Sequence, residues 1–116
     1  MSGLRGTERR AQRAFEHQVL RCIVTLCPPG GAVPAEHVEQ AIGYYRHAAA
    51  GNQVQQLLGR RLRAAVTALE AAGLLDPNAP PDTYRPTAAG RARIERARLP
   101  WWRRALVAWR RAGSSC

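Results

Sequence analysis

Five side chains along one stretch carry the groups best suited to recognition chemistry. Gln53, Gln56, Arg60, Arg63 and Thr67 gather on one side of a helix when successive residues are set about 100° apart, and Arg61 lies on the flank. Arginine can bond bidentately to guanine, glutamine to adenine, and threonine can meet a thymine methyl or a phosphate. A solvated helix face has the same appearance, and that is the commoner fate of such residues. Val54, Leu58, Leu62, Ala65, Val66 and Leu69 gather on the opposite side, while Leu57 falls with the polar residues.

The composition fits a polyanionic partner. The chain has 116 residues and a formal charge of +10, and all eighteen of its basic residues are arginine. The guanidinium group is planar, always charged and rich in donors, which suits phosphates and base edges. Nucleic acid, an anionic membrane surface and an acidic protein are the partner classes this charge admits.

Catalysis and metal binding find little in the sequence. His17, His37 and His47 lie on separate segments without metal-ligand spacing. A site built from His17, Cys22 and Cys27 would need three ligands on different faces of one helix. The eight acidic residues show no pairing suited to acid–base work, and there is no phosphate loop or nucleophile motif. The expectation is a protein that is not an enzyme and needs no cofactor or metal. The three cysteines do not form a disulfide framework and read as reduced thiols, Cys22 and Cys27 as buried structural residues. No signal peptide and no apolar run of about 20 residues is present, so a cytoplasmic, nucleoid-associated protein is expected.

The elements that must position the polar face follow from periodicity and breakers. Residues 1–6 read as a flexible tail, with Thr7 as N-cap of a first helix whose apolar face is Ala11, Phe15, Val19, Cys22 and Leu26. Pro28-Pro29-Gly30-Gly31 ends it. Ala32-Val33 can form a very short strand, and Pro34 suits the first position of helix two, where Val38, Ala41, Ile42 and Tyr45 make the apolar stripe. The alanines in residues 46–51 favour helix, and Gly51-Asn52 reads as a turn. A helix then spans about Gln53 to Ala72. Gly59 lies mid-pattern, so either the helix is continuous or Arg60 opens a separate recognition helix. Gly73 suits the position after a helix end. Leu74–Asp76 and Thr83–Arg85 read as short strands joined by a proline-rich linker, and Thr87 caps a helix to about Leu99 whose one large apolar residue before Leu99 is Ile94. After Pro100, Trp102, Ala105, Leu106 and Trp109 form a stripe flanked by arginines, to about Ala112.

The segment Leu62-Arg63-Ala64-Ala65-Val66-Thr67-Ala68-Leu69-Glu70-Ala71-Ala72-Gly73-Leu74-Leu75 resembles the third helix and second strand of bacterial and archaeal winged-helix regulators. Tyr84-Arg85-Pro86-Thr87-Ala88-Ala89-Gly90-Arg91 is similar to the strand-to-helix exit of the same families, the PadR-like and MarR-like groups among them. The resemblance covers roughly residues 55–95. It implies a mainly α fold with a small β-hairpin wing: a winged helix-turn-helix over 7–99, with N- and C-terminal helical extensions. It also implies a DNA-binding protein, usually dimeric, with helix three in the major groove and the wing near the minor groove.

The resulting expectation is double-stranded DNA binding by a transcriptional regulator. Gln53, Gln56, Arg60, Arg61, Arg63 and Thr67 would serve on the recognition helix, and Arg85 and Arg91 at or just beyond the wing. Arg9, Arg10 and Arg13 are further candidates for phosphate contact. Residues 100–116 form an amphipathic helix in which Trp101, Trp102, Leu106 and Trp109 would pair with a second copy. The same helix could instead meet a membrane interface through residues 100–112, or pack back on its own core. The competing functional readings are an assembly module binding an acidic partner, and a plasmid or phage partition or replication protein that binds DNA.

Overall fold

The computed structural model describes residues 2–98, with side chains from Gly6 onward. These residues form a mainly helical domain with a small two-stranded antiparallel sheet. The proposed dimerisation residues Trp101, Trp102, Leu106 and Trp109, and the boundary at 99–100, lie outside the described residues.

Helix α1, Ser2–Leu26, packs against α2 (Ala35–Ile42), α4 (Gln53–Ala71) and α5 (Ala88–Arg98). It starts at Ser2 rather than at Thr7, so most of the stretch expected as a tail is helical. Its buried stripe is Val19, Leu20 and Ile23, continued by Cys27 just beyond the helix; Phe15 and Cys22 are only half-buried, and Ala11 and Leu26 are exposed. The expected stripe was therefore rotated and too long. The reason is that three helices close over the C-terminal half of α1, and Leu20 and Ile23 are covered from more than one side.

Strand β1 is Val33–Pro34, and Pro34 with φ −58 and ψ 136 precedes α2 instead of opening it. An extended ψ keeps Pro34 in the strand, where Val33 pairs with Tyr84 and Pro34 with Thr83 of β2, Thr83–Tyr84. Helix α2 buries Ala35, Val38 and Glu39, whereas Ala41 and Tyr45, expected in its stripe, are exposed. Gly43 turns the chain out of the helix before Tyr45 could reach the core. Residues Arg46–Ala49 make a single turn, α3, packed on α4.

Helix α4 runs unbroken through Gly59. Asn52 caps it, its Oδ1 accepting from the amides of Val54 at 3.0 Å and Gln55 at 3.2 Å. Leu62, Ala65 and Leu69 are buried, but Val54 at its free first turn is 73% exposed. Gly73, at φ 75, closes the helix: its amide donates to Glu70 and that of Leu74 to Leu69, which satisfies two terminal carbonyls.

The 74–76 and 83–85 segments do not form a regular hairpin. β2 takes β1 as its ladder partner, and on its other side only Leu75 bridges to Pro86, supported by the amide of Asp76 donating to Arg85 at 2.8 Å. Pro86 has no N–H to extend that pairing. Thr87 caps α5, accepting from the Gly90 amide at 3.1 Å while its own hydroxyl donates to the Gly73 carbonyl at 2.6 Å. Ile94 of α5 is buried in the core.

Candidate nucleic-acid interface

The polar face of α4 is assembled by one continuous helix. Gln53, Gln56, Arg60, Arg63 and Thr67 are all exposed, and they span about 21 Å at the helical rise of about 1.5 Å per residue. What holds this face outward is the burial of Leu62, Ala65 and Leu69 opposite it and the seating of Tyr44 on Gly59, where a β-carbon would stand 2.8 Å from Cε2 and Oη. The glycine that could have broken the helix is thus the site where a ring packs against it.

The members of the face are not equivalent. The guanidinium groups of Arg60 and Arg63 form no hydrogen bond or ion pair among the described residues, and they border a shallow depression shared with Tyr44, Ala49, Ala50 and Gln56. Gln56 donates from Nε2 to the Ala49 carbonyl at 2.9 Å, which anchors α3 and leaves its side-chain oxygen for other partners. Thr67 donates its hydroxyl to the Arg63 carbonyl at 2.9 Å. Arg61, also exposed, lines a separate groove against α1, with Glu8, Arg9, Gln12, Phe15 and Leu58 among its walls.

Arg85 and Arg91 are placed differently. Arg85 is half-buried, with Nη1 3.3 Å from Asp76 Oδ2. Arg91 is half-buried too, and its Nη2 lies 3.7 Å from the Cys27 sulfur. Neither side chain bonds to the α4 face among the described residues, and neither lines the grooves bordered by Arg60, Arg61 and Arg63. Each is engaged within the domain, where sequence reasoning placed them beside a duplex.

Two residues that sequence reasoning passed over organise the surroundings. Gln55 accepts from the Tyr45 amide at 2.8 Å and donates to the Gly43 carbonyl at 3.1 Å, fastening the α2–α3 link to α4. Arg46 binds the buried Glu39 through Nε at 2.6 Å and Nη2 at 2.7 Å, and reaches Asp82 at 2.6 Å. Hydrogen bonds to Glu39, then to Asp82, raise the Arg46 pKa above its ordinary value. Asp82 holds a left-handed conformation, φ 60, and its carbonyl accepts from the Ala35 amide. The pairs Arg46–Glu39 and Arg46–Asp82 span 7 and 36 residues, beyond any local pattern. Beside them, burial first and the nearby Glu39 carboxylate second push the Tyr84 hydroxyl up.

Among the described residues no three His, Cys, Asp or Glu side chains converge as a metal site requires, and no helix is long and apolar enough to cross a membrane. No protein-family model, no characterised protein and no solved structure matches this chain.

Proposed function

We propose that this chain is a winged helix-turn-helix protein that binds double-stranded DNA as a transcriptional regulator, with α4 as the recognition helix. The carrying observation is the exposed face of α4, on which Arg60 and Arg63 have no internal partner while Arg46 and Arg85 are neutralised by ion pairs. Pairing with carboxylates occupies the donors of Arg46 and Arg85; an unpaired guanidinium on a rigid helix retains its fork for a guanine edge or a phosphate. The fold reading is supported by the way the segment 83–86 lies between Val33–Pro34 and Leu75, with α2, α3 and α4 preceding it. The 76–82 loop is the wing in this reading. A second copy, paired through Trp101, Trp102, Leu106 and Trp109, would give two half-sites about one helical turn, roughly 34 Å, apart.

A second reading has its own observation. Val54 is 73% and Leu57 46% exposed beside the arginines, a mixture that also suits a protein partner with acidic and apolar groups. The discriminating experiment is a salt titration of binding to duplex DNA, with single-stranded DNA and a non-nucleic polyanion as controls and the mass in solution recorded alongside. Duplex preference that survives physiological salt, from a dimer, supports the regulator. Equal binding of all polyanions that vanishes with modest salt overturns it in favour of assembly with a protein.

A further inference from the structure

Winged-helix binding of the expected kind puts a basic wing against the duplex beside the recognition helix. The wing of this chain lacks the means. Its span 76–85 holds Asp76, Asp82 and Arg85, and Arg85 is paired with Asp76 while Asp82 is held by Arg46. The tip, Pro77-Asn78-Ala79-Pro80-Pro81, carries no charge at all. A loop with two carboxylates and no free cation gains nothing from approaching a phosphate backbone.

The opposite flank of α4 is different. Arg61 faces a groove of about 890 Å³ whose other wall is the N-terminal half of α1, including Arg9. On α1, Arg13 lies about 40° and Leu20 about 20° from Arg9 around the helix axis, at about 100° per residue. Arg9 therefore stands in the groove wall and Arg13 one turn further along α1, outside that wall, on the stripe that ends in the buried Leu20. Arg9 and Arg13 are exposed, and their guanidinium groups have no hydrogen bond or ion pair among the described residues. The acidic groups nearby are Glu8, in the groove wall, and Glu16, at the inner end of the stripe; neither pairs with these arginines.

Resting on the DNA-binding reading, we propose that the phosphate grip beside the recognition helix comes from Arg61 of α4 with Arg9 and Arg13 of α1, and that the wing stays off the duplex. The backbone footprint then runs from Arg60 and Arg63 across Arg61 onto α1, and the Asp82–Arg46 clasp serves to hold the wing against α2 and α3.

The test compares salt slopes of duplex binding for the full chain and four variants. Arg9→Gln/Arg13→Gln removes two charges from α1, one in the groove wall and one a turn beyond it, and glutamine keeps the helix. Arg93→Gln/Arg96→Gln removes the same charge from exposed positions of α5. Asn78→Glu puts an anion on the exposed wing tip. Each phosphate contact contributes about 0.9 to the slope, so the α1 pair should flatten it by about 1.8 and cut the change in Kd between 50 and 200 mM salt by about tenfold. The α5 pair and Asn78→Glu should leave the slope unchanged, with circular dichroism showing native helix content throughout. Equal effects from the α1 and α5 pairs, or a marked loss of affinity in Asn78→Glu, would overturn the proposal. Loss of binding in Arg60→Ala/Arg63→Ala with the α1 pair indifferent removes this inference alone; absence of duplex binding by the unaltered chain removes the functional reading and the grip together.

Discussion

The ring of Tyr44 rests on the bare backbone of Gly59, so that a β-carbon at position 59 would stand 2.8 Å from both Cε2 and Oη. Alanine in a helix interior gains up to about 1 kcal/mol over glycine. Here that gain opposes the displacement of a half-buried tyrosine that links the end of α2 to the recognition face. Gly59→Ala alone is expected to be neutral or destabilising, whereas Gly59→Ala in a Tyr44→Ala background should stabilise by about 1 kcal/mol. Urea unfolding of the four proteins in this cycle measures the coupling, and strict additivity would show that the ring does not constrain the glycine.

Gly90 meets a harder wall. A β-carbon there would collide with the carbonyl oxygen of Leu74, a backbone atom that already accepts from the Thr87 amide at 3.1 Å. No rotamer change can relieve that, so α5 must shift off the core or the Thr87 bond must break. Gly90→Ala should cost about 1–3 kcal/mol, and each kcal/mol lowers Tm by about 4–8 °C in a domain of this size. Gly6→Ala is the control: it lies in α1 with nothing within 4 Å, and should be neutral or mildly stabilising. A thermal melt in which both variants behave alike would contradict the close approach.

The contrast between Gly59 and Gly90 shows where the sequence was readable. The long helices, the chain reversal after Gly73, the cap at Thr87 and the exposure of Gln53, Gln56, Arg60, Arg63 and Thr67 all follow from local periodicity and capping chemistry, and the structure has them. What was not readable depends on contacts distant in sequence. Gly59 looked like a break because its reason, Tyr44, lies fifteen positions away and on another element. The apolar face of α1 was misplaced because Leu20 and Ile23 are buried by α2, α4 and α5 together, which no single-helix pattern encodes. Arg85 looked like a free wing cation because its pairing with Asp76 needs the two short segments to come side by side. Val54 fits the apolar period of α4 but extends past the end of the core it would have joined.

Arg46 neutralises Glu39, a carboxylate that is only 4% exposed. Removing one member of a buried pair costs about 3–5 kcal/mol, and the half-exposed position of Arg46 reduces that to about 2–3 kcal/mol for Arg46→Met at pH 7. The raised pKa of Arg46 means that its charge contributes at every pH below the ordinary arginine range, so the arginine itself introduces no titration between pH 4 and 8. The loss comes from the Glu39 carboxylate left without its partner, so Arg46→Met/Glu39→Gln should recover most of it. Equal deficits in the single and the double variant in urea titrations at pH 7 would rule out a stranded charge.

Cys22 gives the domain a pH dependence in the alkaline range. Burial raises its thiol pKa, and the nearby Arg21 offsets this only in part. A group whose folded pKa is raised contributes stability below its ordinary value and loses it as pH climbs through the folded value, so the effect is confined to pH above about 9. At pH 8 alkylation of Cys22, followed by peptide mass spectrometry, should be slower than in the urea-unfolded chain and should accelerate only in strongly alkaline buffer. Rapid modification at pH 7 would instead mark an activated thiol.

Arg60 and Arg63 differ from Arg61 in where they stand, and the difference predicts distinct binding defects. The first two border the depression formed with Tyr44, Ala49, Ala50 and Gln56, on the face that would enter a groove; Arg61 points to the α1 side. A side chain reading a guanine edge contributes to discrimination, while one on a phosphate contributes equally to every sequence. In a selection from random duplexes, Arg60→Ala or Arg63→Ala should cost about 1–3 kcal/mol on the preferred site and flatten the preference at one base position. Arg61→Ala should weaken all sequences alike and lower the salt slope by about 1. Gln56→Ala should have a further, structural consequence, since it releases the Ala49 carbonyl and with it the anchor of α3. Were all three arginine variants to weaken every sequence uniformly, α4 would be a cationic surface and no reader of bases, and specificity would have to come from the deformability of the bound DNA.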